Sequence, residues 1–345
     1  MSADRAGALR PSIVFAGSLL PVRYLLEYGE ALHVKRIVVL NRTHQRSFEY
    51  VAQRLPGASV SRLAGGPLLS SLMLAAHLMW AKLRGRQVVF FHECCWPVFD
   101  LLVSRLRPRG LFVPQVHMNG FETLADGELP PTTSLSRRIA FVLFGWALRD
   151  FIVYRMAKDS AEPGFNYYFS MRSYPDTIEV APVWRPAGRR DEPLTSDTEP
   201  RVILIGGTEP VPDATVRDLY SLVTEVAVGE GYAVFFKDHP MHGIKFEHAD
   251  CTVIDPARPM ETITEGFAFS IGVASTAIFG AGARKISIMP MLEAMPAAVR
   301  EVRRTRLLSH PESDADRLEF IDNLDLLRQV LREARSAPLS RDTCT

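Results

Sequence analysis

The chain's most suggestive grouping of reactive side chains lies in its second half. Phe235-Phe236-Lys237-Asp238-His239-Pro240 is an apolar run that ends in Lys-x-His-Pro. The proline stops strand pairing and fixes a turn, which sets Lys237 and His239 at the carboxyl edge of a sheet. A histidine there can donate a hydrogen bond to a phosphate and change protonation near neutral pH. About twenty residues on, Pro259-Met260-Glu261 puts a carboxylate at the start of a helical segment. The helix dipole favours it there, and it could also chelate two ribose hydroxyls. About fourteen residues further, Ser275-Thr276 follows the run FAFSI and opens a small-residue helix. Two hydroxyls and free amides at a helix start can cradle a phosphate.

Each motif has a plainer reading on its own. His-Pro can be a turn, Glu261 a first-turn acid, and Ser275 and Thr276 helix caps. Their order is harder to obtain by chance, because each falls at a strand-to-helix junction.

The elements that would position these residues are legible as alternating short apolar runs and helical patterns. In the first half, Ser12–Ala16, Arg36–Leu40, Gln87–His92 and Leu111–His117 read as strands. Helical patterns fall between them, up to about Leu32, over Phe48–Leu55, Leu68–Leu83 and Val98–Leu106. Residues 185–200, RPAGRRDEPLTSDTEP, have a linker composition. A second series follows, with strands at Arg201–Ile205, Ala233–Lys237, Thr252–Ile254, Phe267–Ile271 and Lys285–Met289, and a helix over Val216–Val228. The tail from Asp314 to Arg335 reads as one helix with Leu318, Ile321, Leu324, Leu327, Val330 and Leu331 along a face. This alternation predicts βαβ units and mostly parallel sheets. Ligands in such sheets sit at the carboxyl ends of the strands.

With Lys-x-His-Pro, Pro-x-Glu and Ser-Thr in this order, residues 201–289 resemble the bacterial GT-B sialyltransferases and polysialyltransferases. The resemblance implies an α/β, GT-B-like fold with two Rossmann-like domains facing a central cleft. The expected division is an acceptor domain at 10–184, a linker at 185–200, a nucleotide-sugar domain at 201–312 and a C-terminal helix at 313–335. It implies that His239, with Pro240 fixing its turn, holds the phosphate of CMP. Lys237 would lie near the cytosine, Glu261 would bind the ribose, and Ser275 and Thr276 the phosphate. Gly206-Gly207-Thr208, after the first strand of that domain, would approach the donor. The activity implied is inverting, metal-independent transfer of a sialic-acid-like or Kdo-like sugar from CMP to a cell-surface glycan or lipid-linked acceptor. Related motif sets occur in enzymes that use CDP-glycerol or CDP-ribitol, so a CDP-polyol phosphotransferase of capsule or wall synthesis is the alternative within the fold.

The family's general base is an acid beside a glycine in the first domain. Here the matching stretch is His117-Met118-Asn119-Gly120-Phe121-Glu122, with Met118 and Asn119 where the acids should stand. Glu122, Asp126 and His117 are the candidates to accept the acceptor's proton, and Glu93 is a fourth. Each can equally be a solvated loop acid or a satisfied core histidine. If none serves, the chain is a non-catalytic nucleotide- or glycan-binding relative.

Composition excludes several other classes. A net charge of +1 gives no field to attract nucleic acid. Four cysteines without a C-x-x-C pair make neither a disulfide framework nor a structural zinc site, and a reduced cytoplasm is the expected setting. No DxD pair stands out as a metal clamp, and there is no G-x-S-x-G elbow, P-loop or G-x-G-x-x-G. No cofactor is expected beyond the CMP-sugar substrate. No signal peptide is apparent. The most membrane-like run, Ile139–Tyr154, is shorter than a bilayer span and contains Arg149 and Asp150. It reads as a buried helix or one resting on the inner face of a membrane. Arg84, Arg86, Arg105, Arg107 and Arg109 upstream would suit an anionic lipid surface or a plain solvated face.

Overall fold

A computed structural model describes residues 11–19, 21–63, 67–91, 97–114, 122–123, 151–157, 165–182, 199–240, 243–263, 266–310 and 318–336. These form two compact units, one up to residue 182 and the other from residue 199.

The first unit opens with strand β1 (Ser12–Ala16), helix α1 (Pro21–Tyr28) and β2 (Val34–Val39). Helix α2 (Gln45–Ala52), β3 (Ser59–Arg62), α3 (Pro67–Leu83) and β4 (Gln87–Phe91) follow. Then come α4 (Pro97–Leu106), β5 (Gly110–Val113), β6 (Glu122–Thr123), β7 (Phe151–Ala157), β8 (Phe165–Met171) and β9 (Ile178–Val180). A six-stranded sheet runs in the order β3-β2-β1-β4-β5-β9, and every pairing in it is parallel. A three-stranded antiparallel sheet is formed by β6, β7 and β8.

The second unit repeats this plan with β10 (Arg201–Ile205), α5 (Asp213–Gly229), β11 (Ala233–Lys237), β12 (Cys251–Ile254), β13 (Phe269–Gly272) and β14 (Arg284–Ser287). It ends in α6 (Ala297–Leu308), β15 (Leu318–Phe320) and α7 (Leu324–Ser336). The sheet order is β12-β11-β10-β13-β14-β15, again all parallel. Two Rossmann-like α/β domains followed by a C-terminal helix are thus present, the GT-B type of organisation.

Central strands read as unbroken apolar runs because both faces are covered. Val202, Ile203, Leu204 and Ile205 of β10 are all buried. Val202 and Leu204 face a core with α5 residues such as Val216, Tyr220 and Val223. Ile203 and Ile205 face the opposite core, with Ile263, Ile278 and Leu307. Helix α7 closes the first of these cores with Leu327 and Leu331. Its polar face grips the turn before β11. Arg332 donates to the Glu230 carboxylate at 2.8 and 3.1 Å, and Arg335 donates to the Glu230 carbonyl at 2.6 Å. The Tyr232 hydroxyl donates back to the Leu331 carbonyl at 2.8 Å.

Three expectations need correction. Phe151–Tyr154, expected at the end of a helix, belongs to β7, which pairs antiparallel with β8 from Phe151↔Met171 onward. The run FIVYRMA is β-branched and aromatic, and a partner strand overrides its helical periodicity. The tail is not one helix. Leu318–Phe320 adds β15 to the sheet edge, and α7 starts only at Leu324. Asn323 marks that start, since its side chain accepts the Leu326 amide at 2.8 Å. The segment after Ser275 is a five-residue 3-10 turn, Thr276–Gly280, rather than an α-helix. It is cut short near Gly282, whose φ is +71°.

Candidate functional site

Strand order reverses at β10: the chain passes through β11 and β12 on one side and β13, β14 and β15 on the other. Such a switch point leaves a crevice at the strands' carboxyl ends, because the loops on its two sides diverge. Gly206-Gly207-Thr208 leaves β10 at this point, Asp238-His239-Pro240 leaves β11, and Val273-Ala274-Ser275 leaves β13.

The loop after β10 is tightly fitted. A Cβ on Gly206 would lie 2.6 Å from the Asp238 carboxylate and 2.9 Å from the Phe236 ring. One on Gly207 would lie 2.8 Å from the Glu209 carboxylate and 3.6 Å from Ser275 Cβ. The two glycines let this loop lie against its neighbours from both β11 and β13. Thr208 is exposed.

Two interactions at this loop escape sequence reasoning. Arg303, on α6, forms a buried ion pair with Glu209 and donates to the Thr208 carbonyl at 2.8 Å. The two side chains are 7% and 2% exposed, so the pair is almost fully desolvated. Beneath the loop, the Tyr220 hydroxyl of α5 donates to the Ile205 carbonyl at 2.5 Å.

Asp238 organises the turn after β11. Its carboxylate accepts the backbone amides of His239 at 2.8 Å, Ile244 at 3.2 Å and Lys245 at 2.9 Å. Gly243 makes room for it, since a Cβ there would collide with the carboxylate. Aspartate at a strand end followed by turn residues is the available signal for such an amide cage. His239 is held by its own backbone at the lip of this turn and is half-buried.

Lys237 is only 4% exposed. Its ammonium donates to the Asp238 carbonyl at 2.9 Å and the Pro256 carbonyl at 2.7 Å. It thereby ties the turn after β11 to the loop after β12. Burial lowers its pKa to about 8, against the opposing pull of Asp238, Asp255 and Glu261.

Glu261 lies in a 3-10 turn, Met260–Thr262, and is exposed. That turn touches the one after β13, for a Cβ on Gly280 would lie 3.1 Å from Met260 Cβ. Ser275 caps its turn by accepting the Ala277 amide at 3.3 Å, while Thr276 is exposed. The loop below is pinned by Ser287, whose hydroxyl donates to the Val273 carbonyl at 2.6 Å. The sheet edge therefore gathers Gly206, Gly207, Asp238, His239 and Ser275 about the switch point, with Glu261 on the turn adjoining that of Ser275. Loop amides, a histidine and a hydroxyl gathered at one strand edge are the kinds of donor that suit a phosphate group.

In the first unit, Glu122 lies in the two-residue β6 opposite Arg155 of β7. His117, Asp126 and Glu93 lie outside the described residues. One further acid of this unit has no local sequence signal. Asp100, in the first turn of α4, is 3% exposed and accepts the Tyr174 hydroxyl at 3.3 Å. Burial pushes its carboxyl up to about 8, with the tyrosine hydrogen bond opposing.

No family model and no curated protein matches the chain. Solved structures do. The glycotransferase of kitacinnamycin is 11% identical with a TM-score of 0.44, over 96% of this chain and 92% of that one. SnogD, a glycosyltransferase from Streptomyces nogalater, is 13% identical with a TM-score of 0.40, over 93% and 99%. A putative UDP-N-acetylglucosamine 2-epimerase from Listeria monocytogenes is 10% identical with a TM-score of 0.45, over 95% and 88%. Likeness at this level concerns the general path of the backbone and says nothing of reaction or donor.

Proposed function

We propose that the chain is a glycosyltransferase whose second domain binds a cytidine nucleotide sugar, a CMP-linked sialic-acid-like or Kdo-like sugar. The observation that carries this reading is the meeting of three loops at the switch point of the second sheet. They bear Gly206-Gly207-Thr208, His239 and Ser275-Thr276, the set that the resemblance assigns to donor binding. His239 and the loop amides would take the single phosphate, and Glu261 the ribose. In the reaction the acceptor oxygen bonds to the anomeric carbon with inversion. The bond from that carbon to the phosphate oxygen breaks, and CMP leaves with the electron pair. The acceptor's proton passes to a base in the first domain, for which Glu122, Asp126 and His117 are the candidates. Hydrogen-bond donors fixed at the leaving phosphate would stabilise its charge as it develops.

Calorimetric titration of CMP, CDP, UDP and GDP into the wild type and His239→Ala tests the donor assignment. Selective CMP binding that is lost in the variant supports it. Preference for UDP or GDP, absence of nucleotide binding, or a variant that still binds CMP sinks it.

A further inference from the structure

Helix α3 carries an unusual surface. Leu69, Leu72, Met79 and Leu83 are 51%, 60%, 41% and 78% exposed. With exposed Ala76 between them they recur at helical spacing and form one stripe. The opposite side of the helix supplies Leu74, Leu78 and Ala81 to the core. The helix is thus apolar on two sides, though no described helix is long and apolar enough to cross a membrane.

Charge gathers at the C-terminal end of that stripe. Lys82 donates to the Leu106 carbonyl at 2.7 Å, which brings the ends of α3 and α4 together. Arg84 and Arg86 lead into β4, and Arg105, Arg107 and Arg109 lead into β5. Lys35 and Arg36 open β2 on the same rim, the one at the strands' amino ends. Arg36 and Arg86 both sit over the Trp80 ring of α3, at 5.3 and 4.2 Å. Glu27, Glu30, Asp176 and Glu179 are the described acids near these strand starts. Residues 50–121 contain just two acids, Glu93 and Asp100, and Asp100 is buried.

We propose that the exposed face of α3, with the cationic rim at its end, is a docking surface for an anionic lipid bilayer. Apolar side chains enter the interface while cations meet the lipid headgroups, and neither contribution suffices without the other. A homodimer contact would bring eight cations toward a second copy of the same rim, which the charge disfavours. This docking needs no assumption about the donor site.

The test is co-sedimentation of the full chain with vesicles of phosphatidylglycerol mixed with phosphatidylcholine, and with phosphatidylcholine alone. Binding to the mixed vesicles alone is expected, with loss at high salt. Arg84→Gln and Arg107→Gln should each weaken it about fivefold. Leu72→Ser with Leu83→Ser should weaken it at least as much, with melting temperature unchanged because both positions are exposed. No binding to the mixed vesicles, or undiminished binding by these variants, overturns the proposal. So does a concentration-dependent dimer in ultracentrifugation that the double leucine variant abolishes, since the stripe would then face a second copy.

Discussion

Arg303 on α6 grips Glu209, at the end of the glycine loop after β10, in an ion pair from which water is almost excluded. Because both charges are buried, removing one leaves the other without compensation. Arg303→Met should cost about 3–5 kcal/mol in urea unfolding. Arg303→Met combined with Glu209→Gln should recover much of that loss, since no buried charge then remains. Equal losses in the single and double variants would show that packing of the arginine stem, rather than charge, dominates.

Gly206→Ala tests the close fit of the same loop. The added methyl meets the Asp238 carboxylate and the Phe236 ring, both inside a packed core, so the loop must move. A loss of about 1–3 kcal/mol is expected, together with at least tenfold weaker nucleotide binding. A variant with wild-type melting and affinity would mean that the loop has slack.

Asp238→Asn and His239→Ala should separate scaffold from ligand contact. The asparagine turns one carboxylate oxygen into an amide donor facing backbone amides, so stability should fall by about 1–3 kcal/mol along with nucleotide affinity. His239→Ala should weaken nucleotide binding at least tenfold while costing less stability than Asp238→Asn. If the histidine variant melts as early as the aspartate one, His239 belongs to the turn rather than to the ligand.

Asp100 predicts a pH dependence. Its folded pKa of about 8 stands above the ordinary value of 3.8. The folded state therefore retains a proton that the unfolded state releases between these values, and stability must fall as pH rises from about 4 to about 8. Asp100→Asn removes this linkage. Relative to wild type, the variant should gain on the order of 2–5 kcal/mol at pH 8 and little at pH 4. Parallel pH profiles for the two proteins would refute a neutral buried carboxyl at this position.

Strands at Ser12–Ala16, Arg201–Ile205 and Ala233–Lys237 are legible in the sequence to the residue, because buried parallel strands are written as continuous apolar runs. The Lys-x-His-Pro turn is legible for the same reason, since its proline marks the strand end. Asp238 at a strand end signals a local turn, but which amides its carboxylate collects shows only once the fold brings residues 244 and 245 to it. Glu209 and Arg303 are 94 residues apart, and nothing local announces their pairing. Leu318, Ile321 and Leu324 satisfy a helical spacing, yet the free edge of β14 claims Leu318–Phe320 as a strand. Competition from a sheet edge is invisible to periodicity.

The grip of α7 on the turn before β11 spans 99 residues from Tyr232 to Leu331 and 105 from Glu230 to Arg335. Contacts so distant along the chain form late, because the intervening loop must first be closed. During synthesis, β10, α5 and β11 emerge from the ribosome long before the helix that completes their core. A nascent chain halted before residue 324 would hold the His239 turn on a sheet whose α5-covered core still lacks Leu327, Val330 and Leu331.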